Sequence, residues 1–529
     1  MSALILGIFF TLPGSVNAIG IQKKLTTTSY YDRNPSILKA SDGTWWLTFS
    51  RSQTGTTSPR TSDNVEDYAV YYKTSTDGGA TWSADNNKIA DSSKNQWESA
   101  VIEDTTNGRI YIFHLDRKDN TIRHHYTEDN GATWTAGTEI SPGPGGGGHF
   151  DAIIDNTGKI WVFYDPSDGI TYRTSTDGGQ TWSTPAIIPG TRGRNIPKAL
   201  LVGSTIYVSF IHGWTAGSNI VEYAYTSDGG ANWNGPTVIV SAESGIMHCD
   251  PVLYRDNAGT MWLFWAPWSD PSAGGDDAQW IERVKLDGTE RIMVTSRDAG
   301  LWDYWPDVTQ DSTGNLLMFF ASEQSQGAIW MMNLGKPGTQ KQESVTDDKM
   351  DAKAEADAEV AVSGGPTTVT ALEYTSNPGG TPPFTAVGKY WDVSISTDVG
   401  VTSVTLRFYY TDADIAGFVE SSLRAYWWTG SAWVLCNPQT LHTEAVDGYS
   451  GYIEVGPILA SGTTPTLGQL MGTPFAFGGE TPAPPLPKPP PYPVGGILTP
   501  VNKLVILAPY LALIGLAAVA AVAVKKRKH

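Results

Sequence analysis

The sequence predicts an all-β protein: a six-bladed β-propeller followed by a β-sandwich, a proline-rich stalk and one C-terminal transmembrane helix. Three observations carry that expectation. One short turn motif recurs four times at about fifty residues, a period that marks a repeated supersecondary unit. A glycine-led apolar run recurs six times over the same stretch. The composition fits turn-rich β structure, with 56 glycines, 33 prolines and 20 tryptophans in 529 residues and only 17% charged side chains.

The turn motif reads Ser75-x-Asp77-x-Gly79-x-Thr81-Trp82 and returns at Thr127–Trp134, Ser175–Trp182 and Thr226–Trp233. Each copy is a turn with a mechanism. The Asp carboxylate accepts backbone N–H groups of its own loop, the glycine supplies positive φ, and the tryptophan plugs the turn onto a sheet. The glycine-led runs begin at Gly43, Gly108, Gly158, Gly203, Gly259 and Gly314, as in Gly108 with Ile110-Tyr111-Ile112-Phe113. Short β-branched and aromatic runs bounded by turn residues are strands. Their nearly continuous apolarity predicts burial on both faces, between neighbouring sheets. Six copies with room for four strands each predict a propeller over residues 26–335, closed so that no sheet edge stays open.

The segments around it follow from composition. Residues 1–18 read as a signal peptide, with apolar Ala3–Leu12 and the cleavage-like Val16-Asn17-Ala18. Residues 336–365 read as an acidic linker, because Lys341–Ala361 carries no aromatic residue. Residues 366–478 return to strand chemistry and predict a β-sandwich accessory domain, with Trp427 and Trp428 expected at its surface. Residues 479–500 form a proline-rich stalk. Residues 504–524 are uncharged and long enough to cross a bilayer. The basic tail at 525–529 (Lys525-Lys526-Arg527-Lys528) would stay cytoplasmic. That places the chain in the cell membrane as a single-pass protein with its bulk outside.

Charge and cysteine content narrow the partners. A net charge of −18 argues against nucleic acid, since nothing here neutralises a phosphate backbone. Cys249 and Cys436 fall in different predicted domains, so no disulfide is expected, and no metal-ligand spacing occurs. No cofactor is expected.

In a propeller the first residues of each inner strand line the central funnel. Those positions are Arg33, Trp97-Glu98, His149-Phe150-Asp151, Arg194-Asn195, His248-Cys249-Asp250 and Tyr304-Trp305-Pro306-Asp307. Convergent polar groups on a closed scaffold are a site by default. Glu98, Asp151 and Asp250 are candidates for acid–base work, and His149 and His248 could share it. Arg33, Trp97, Arg194 and Asp307 complete the expected binding wall. The Trp265-Ala266-Pro267-Trp268 loop could stack a sugar ring.

The four turns resemble the Asp boxes of sialidases and related bacterial-neuraminidase-repeat proteins. Asp32-Arg33-Asn34-Pro35-Ser36-Ile37-Leu38, followed by Ser41-Asp42-Gly43, resembles the sialidase segment that carries one of three carboxylate-clamping arginines. The resemblance implies that Arg33 binds a substrate carboxylate, which suits its planar fork. It implies Asp63, or its neighbour Asp67, as acid/base. It implies Tyr304 as nucleophile, because a neutral phenol approaches where an anion would be repelled. Arg194, Arg255, Arg283 and Arg297 are available for the remaining two arginines of the clamp.

Two functions therefore stand side by side. One is a cell-surface, sialidase-like exo-glycosidase acting on terminal acidic sugars of external glycans. The other is a non-catalytic propeller that binds a glycan or another extracellular polysaccharide. Three arginines converging beside Tyr304 would favour the first, and Arg33 standing alone would favour the second.

Overall fold

The computed structural model describes residues 21–53, 68–89, 95–140, 148–295, 297, 301–323, 327–336, 338–374 and 376–482. Among the described residues the first part of the chain folds into six four-stranded antiparallel sheets. The inner strands are Asp32–Lys39, Gln96–Asp104, Phe150–Ile154, Arg194–Val202, Ile246–Arg255 and Asp303–Gln310. Each packs against the next, and the sixth packs against the first, so the sheets close into a ring of blades. The glycine-led runs form the second strands. Trp45–Ser52 and Leu316–Ser322 are buried at every position, as continuous apolar runs between two neighbouring sheets should be.

The ring closes with a strand that precedes the expected start of the propeller. Ile21–Lys24 is the outermost strand of the sixth blade and pairs antiparallel with Ala328–Asn333, Ile21 opposite Asn333. The propeller thus begins before residue 26. This pairing joins the two ends of the ring, and no local pattern announces it.

The Asp boxes hold themselves as expected. Ser175 donates to Asp177 at 2.7 Å, and the Thr181 N–H donates to the same carboxylate at 2.9 Å. These bonds pull the Asp77, Asp177 and Asp228 carboxyls down to about 2. Their tryptophans do more than plug a turn. Trp82 meets Phe319, Trp134 meets Trp46, Trp182 meets Phe113 and Trp233 meets Phe163, each edge to face and each on the preceding blade. The motif is therefore a clamp between blades.

A bulge recurs at the start of the inner strands. Register slips between Arg33 and Ser36, Gln96 and Ser99, Asn195 and Lys198, Cys249 and Val252, and Tyr304 and Asp307. Asn34, Ile196, Asp250 and Trp305 sit in these bulges at φ 51°, 56°, 50° and 52°. A proline follows each of the four. It removes an N–H at the point where the ladder offers no partner. Left-handed backbone at a β-branched residue such as Ile196 is strained, and such strain gathers at functional sites.

The second part is a two-layer sandwich. One sheet runs in the order Gln340–Val345, Thr367–Tyr374, Ala386–Ile395, Met471–Gly478, Arg424–Trp428, Trp433–Leu435. The other runs Lys349–Ala352, Ala358–Gly364, Val401–Tyr410, Gly451–Ile458, Gln439–His442. The stretch expected as an acidic linker therefore supplies three strands. Alternation explains it: Met350, Ala352, Val360 and Val362 face the core, while Lys349 and Asp351 face out. Trp427 is likewise buried in that core, not exposed, and Trp428 packs 5.4 Å from Trp433. Ile292 of the fifth blade packs with Leu372, Tyr374 and Tyr390 of the sandwich. The expected signal peptide, basic tail and membrane span, and the stalk beyond residue 482, lie outside the described residues, within which no helix is long and apolar enough to cross a bilayer.

Candidate functional site

Neighbouring strands run antiparallel, so the start of each inner strand and the end of the next strand rise at the same rim. Gln96 faces Asp116 and Arg194 faces His212, which brings Arg117 and Trp214 to the funnel mouth. There a cup of about 360 Å³ opens, lined by Arg33, Trp97, Arg117, His149, Trp214 and Tyr304 on its polar and aromatic walls. Trp268, Trp302 and Trp305 complete an aromatic rim. Trp214 is half exposed, unusually so for a tryptophan. The bulge residues Ile196, Asp250 and Trp305 line both this cup and a channel of about 310 Å³ beneath it, so they form the floor between the two.

Arg33 is 1% exposed and is held by rings. Its guanidinium carbon lies 3.7 Å from the Trp97 ring centre and 4.3 Å from that of Tyr68, whose hydroxyl accepts from Nη2 at 2.7 Å. The Arg117 guanidinium lies 3.8 Å from the same Trp97 ring. Among the described residues no carboxylate pairs with Arg33, and its Nε is buried without an acceptor. A buried cation without a counter-ion at the wall of an open cup is a site for an anion.

Glu98 and His149 form a buried pair through Nδ1. Glu98 also accepts the Phe150 N–H at 2.9 Å and the Asn34 side-chain amide at 3.2 Å. Burial opposes charge on both partners, but their mutual attraction wins. It lowers the Glu98 carboxyl and raises the His149 imidazole to about 9. Trp214 stacks over the His149 ring, centroids 6.4 Å apart.

The channel acids are blade staples. Asp307 accepts the Ile37 N–H at 2.8 Å, Asp151 the Ala199 N–H at 2.8 Å, and Asp250 the Trp305 N–H at 3.3 Å. Asp165, which is not among the expected funnel residues, accepts the His149 and Ile196 N–H groups at 2.6 and 3.0 Å. All of these bonds tie one blade to the next except that to the His149 N–H, which stays within the third blade. Asp151 and Asp307 thus lie below the cup, not on its binding wall. Burial lifts the Asp165, Asp250 and Asp307 carboxyls to about 6. Lys198, also unforeseen, stands among them with its Nζ 3.8 Å from Asp151.

Tyr304 is 3% exposed, and its hydroxyl has no partner among the described residues. Burial and the nearby Glu323 carboxylate push the phenol well above its ordinary value. Trp305 lies 4.3 Å away, ring to ring.

Several expected residues fall elsewhere. Arg194 lines neither cavity and is turned onto Glu222 at 2.9 Å. His248 is completely buried within blade five, accepting from Trp265 at 3.2 Å, with its backbone N–H donated to Asn219. Trp265 is equally buried, so only Trp268 of that loop reaches the cup. Arg283 donates to Gln340 of the sandwich, and Arg297 pairs with Asp276. Among the described residues only Arg33 and Arg117 bring guanidinium groups to the cup, so no three-arginine clamp assembles there. Asp63 and Asp67 lie outside the described residues. No group of three His, Cys, Asp or Glu gathers as metal ligands among the described residues; the channel carboxylates are spent on backbone N–H groups instead.

No protein family and no curated protein matches the chain. Among solved structures it is similar to a protein of unknown function from Dyadobacter fermentans, at 13% identity over 61% of this chain and 99% of that one, TM-score 0.47. It is also similar to the NanB sialidase of Streptococcus pneumoniae, at 13% identity over 61% and 71% of the two chains, TM-score 0.43. The Trypanosoma rangeli sialidase matches at 11% identity over 75% and 72%, TM-score 0.40. Overlaps this loose carry no chemistry from one chain to another.

Proposed function

We propose that the cup binds the end of an acidic glycan outside the cell, with the segment 504–524 as anchor in the membrane. The observation that carries this reading is Arg33, a buried guanidinium that meets no carboxylate among the described residues, opening into a cup walled by tryptophans. Indole faces stack on the apolar faces of sugar rings, and the guanidinium takes a carboxylate. Binding is favoured over hydrolysis because among the described residues only two arginines reach the cup, and Glu98 is already engaged by His149 and Phe150.

One observation supports a catalytic second reading. The Tyr304 hydroxyl is buried beside Arg33 with no partner among the described residues, as a nucleophile awaiting substrate would be. The test is tryptophan fluorescence of the full chain titrated with glucuronate, N-acetylneuraminate and glucose. The acidic sugars should quench and glucose should not, and Arg33→Ala should abolish the response. Equal responses to all three, or none, would end the proposal. Turnover of chromogenic acidic glycosides, lost in Tyr304→Phe, would establish the second reading instead.

A further inference from the structure

Among the described residues three cationic groups line the cup: Arg33, Arg117 and His149. The histidine differs from the arginines because its charge depends on a neighbour. Its backbone N–H is fixed by Asp165 at 2.6 Å, and its Nδ1 is taken by Glu98. Glu98 is itself fixed by Phe150 and Asn34. The ring is thus held from one side, and among the described residues no protein group accepts from Nε2. Trp214 covers the ring face and is half exposed.

We infer that His149 donates its Nε2–H to the anionic group of the bound sugar, and that Glu98 is the positioning residue that keeps the ring oriented and charged. The inference rests on the glycan-binding reading above and adds a specificity determinant to it. The groups acting on His149 are Glu98, Asp165 and Asp250, all negative, with Arg33 and Arg117 lining the same cup. Lys198 stands beyond Glu98 in the channel. The acids prevail, which keeps the imidazole charged up to about 9. A donor of this kind rewards an anion and not a neutral hydroxyl. An ordinary histidine, by contrast, would lose its charge near neutrality.

The test uses the full chain, its Glu98→Gln and His149→Gln variants, and glucuronate as ligand. Above the range near 6 in which Asp165 and Asp250 gain their charge, wild type should bind with a flat pH profile through neutrality. His149→Gln should lose about tenfold or more in affinity, as for a hydrogen bond to a charged group. Glu98→Gln should bind near wild-type strength at acid pH and weaken as the pH rises through the ordinary histidine range. That pH slope is a signature that mere loss of packing would not produce. Side-chain 15N spectra of the free protein test the pair without any sugar. The His149 ring should stay doubly protonated above neutrality in wild type and titrate lower in Glu98→Gln. Wild-type affinity in His149→Gln, a flat profile in Glu98→Gln, or a His149 ring already neutral at neutral pH would each overturn the inference. If wild type binds no acidic sugar, the reading of the cup fails and the spectra alone judge the pair.

Discussion

The Arg33 guanidinium lies 3.7 Å from the centre of the Trp97 ring, and that ring, not a carboxylate, is its principal neighbour. A guanidinium stacked on an indole keeps its charge and its in-plane N–H groups while its faces are covered. It is therefore held ready for a planar anion without being neutralised beforehand. The same indole carries Arg117 at 3.8 Å, so one tryptophan organises both arginines of the cup.

Arg33→Lys tests that arrangement. Lysine keeps the charge but has neither the planar face for Trp97 nor a paired fork for a carboxylate. Affinity for an acidic sugar should fall about tenfold or more, while the melting temperature moves little. Calorimetric titration measures the first and thermal denaturation the second. An unchanged affinity would show that charge alone suffices and that the stack is incidental.

Asp250 gives a prediction with a definite sign. Burial holds its carboxyl at about 6 in the folded chain, above the 3.8 of an unperturbed aspartate. A raised carboxyl contributes stability that is fully present below its unfolded value and is lost as the pH rises through the folded one. Asparagine suits the left-handed position, can still accept the Trp305 N–H and never charges. Asp250→Asn should therefore melt higher than wild type at neutral pH, by an increment that shrinks towards zero as the pH is lowered through about 6 to about 4. At neutral pH it should also bind glucuronate more tightly, since a negative charge has left the cup floor. A stability difference that ignores pH would mean that Asp250 is not a buried acid.

The parts of this molecule that were legible in the sequence are the parts whose cause is local. An Asp box closes on its own residues, from Ser175 to Trp182, so its spacing alone identifies it. The second strands announce themselves through continuous apolar runs. Arg33, Trp97, His149, Asp250 and Tyr304 were accessible because a propeller's inner strands begin at its axis. What stayed hidden depends on partners distant in the chain. Arg194 stands two residues before its bulge residue Ile196, whereas Arg33 stands one before Asn34, so its side chain falls on the other strand face and meets Glu222, 28 residues on. Arg117 and Trp214 enter from loops, and only the register of Gln96 with Asp116 and of Arg194 with His212 places them at the rim. Ile21–Lys24 pairs with a strand at the other end of the ring, and no local pattern encodes that.

Trp214 is the cup residue least tied to the fold. It is half exposed and stacks only loosely over His149. Trp214→Ala should leave the melting temperature within a degree or two of wild type, because little buried area is lost. Sugar affinity should drop several-fold through loss of the stacking face. The fluorescence response to sugar should shrink in the same variant. A Trp214→Ala chain that binds as before would remove the mouth of the funnel from the binding surface and confine recognition to the floor.

Lys198 decides whether the channel acids are structural. Its amine is 3.8 Å from Asp151 and acts on Glu98, Asp307 and Asp250 as well. Burial disfavours the ammonium, yet the surrounding acids prevail and hold it charged. Lys198→Met keeps the aliphatic stem and removes the charge, leaving Asp151 in the channel without its counter-ion. Breaking a fully buried pair from one side costs about 3 kcal/mol; with Lys198 and Asp151 24% and 13% exposed, the loss here should be smaller. The double variant Lys198→Met/Asp151→Asn removes both charges and can keep the acceptor for the Ala199 N–H, so it should recover much of that loss. Urea unfolding of the wild type, the two single variants and the double closes the cycle. Additive losses would mean that Lys198 and Asp151 are independent. The channel would then be an open acidic pore and not the stapled hub that joins the third blade to the fourth.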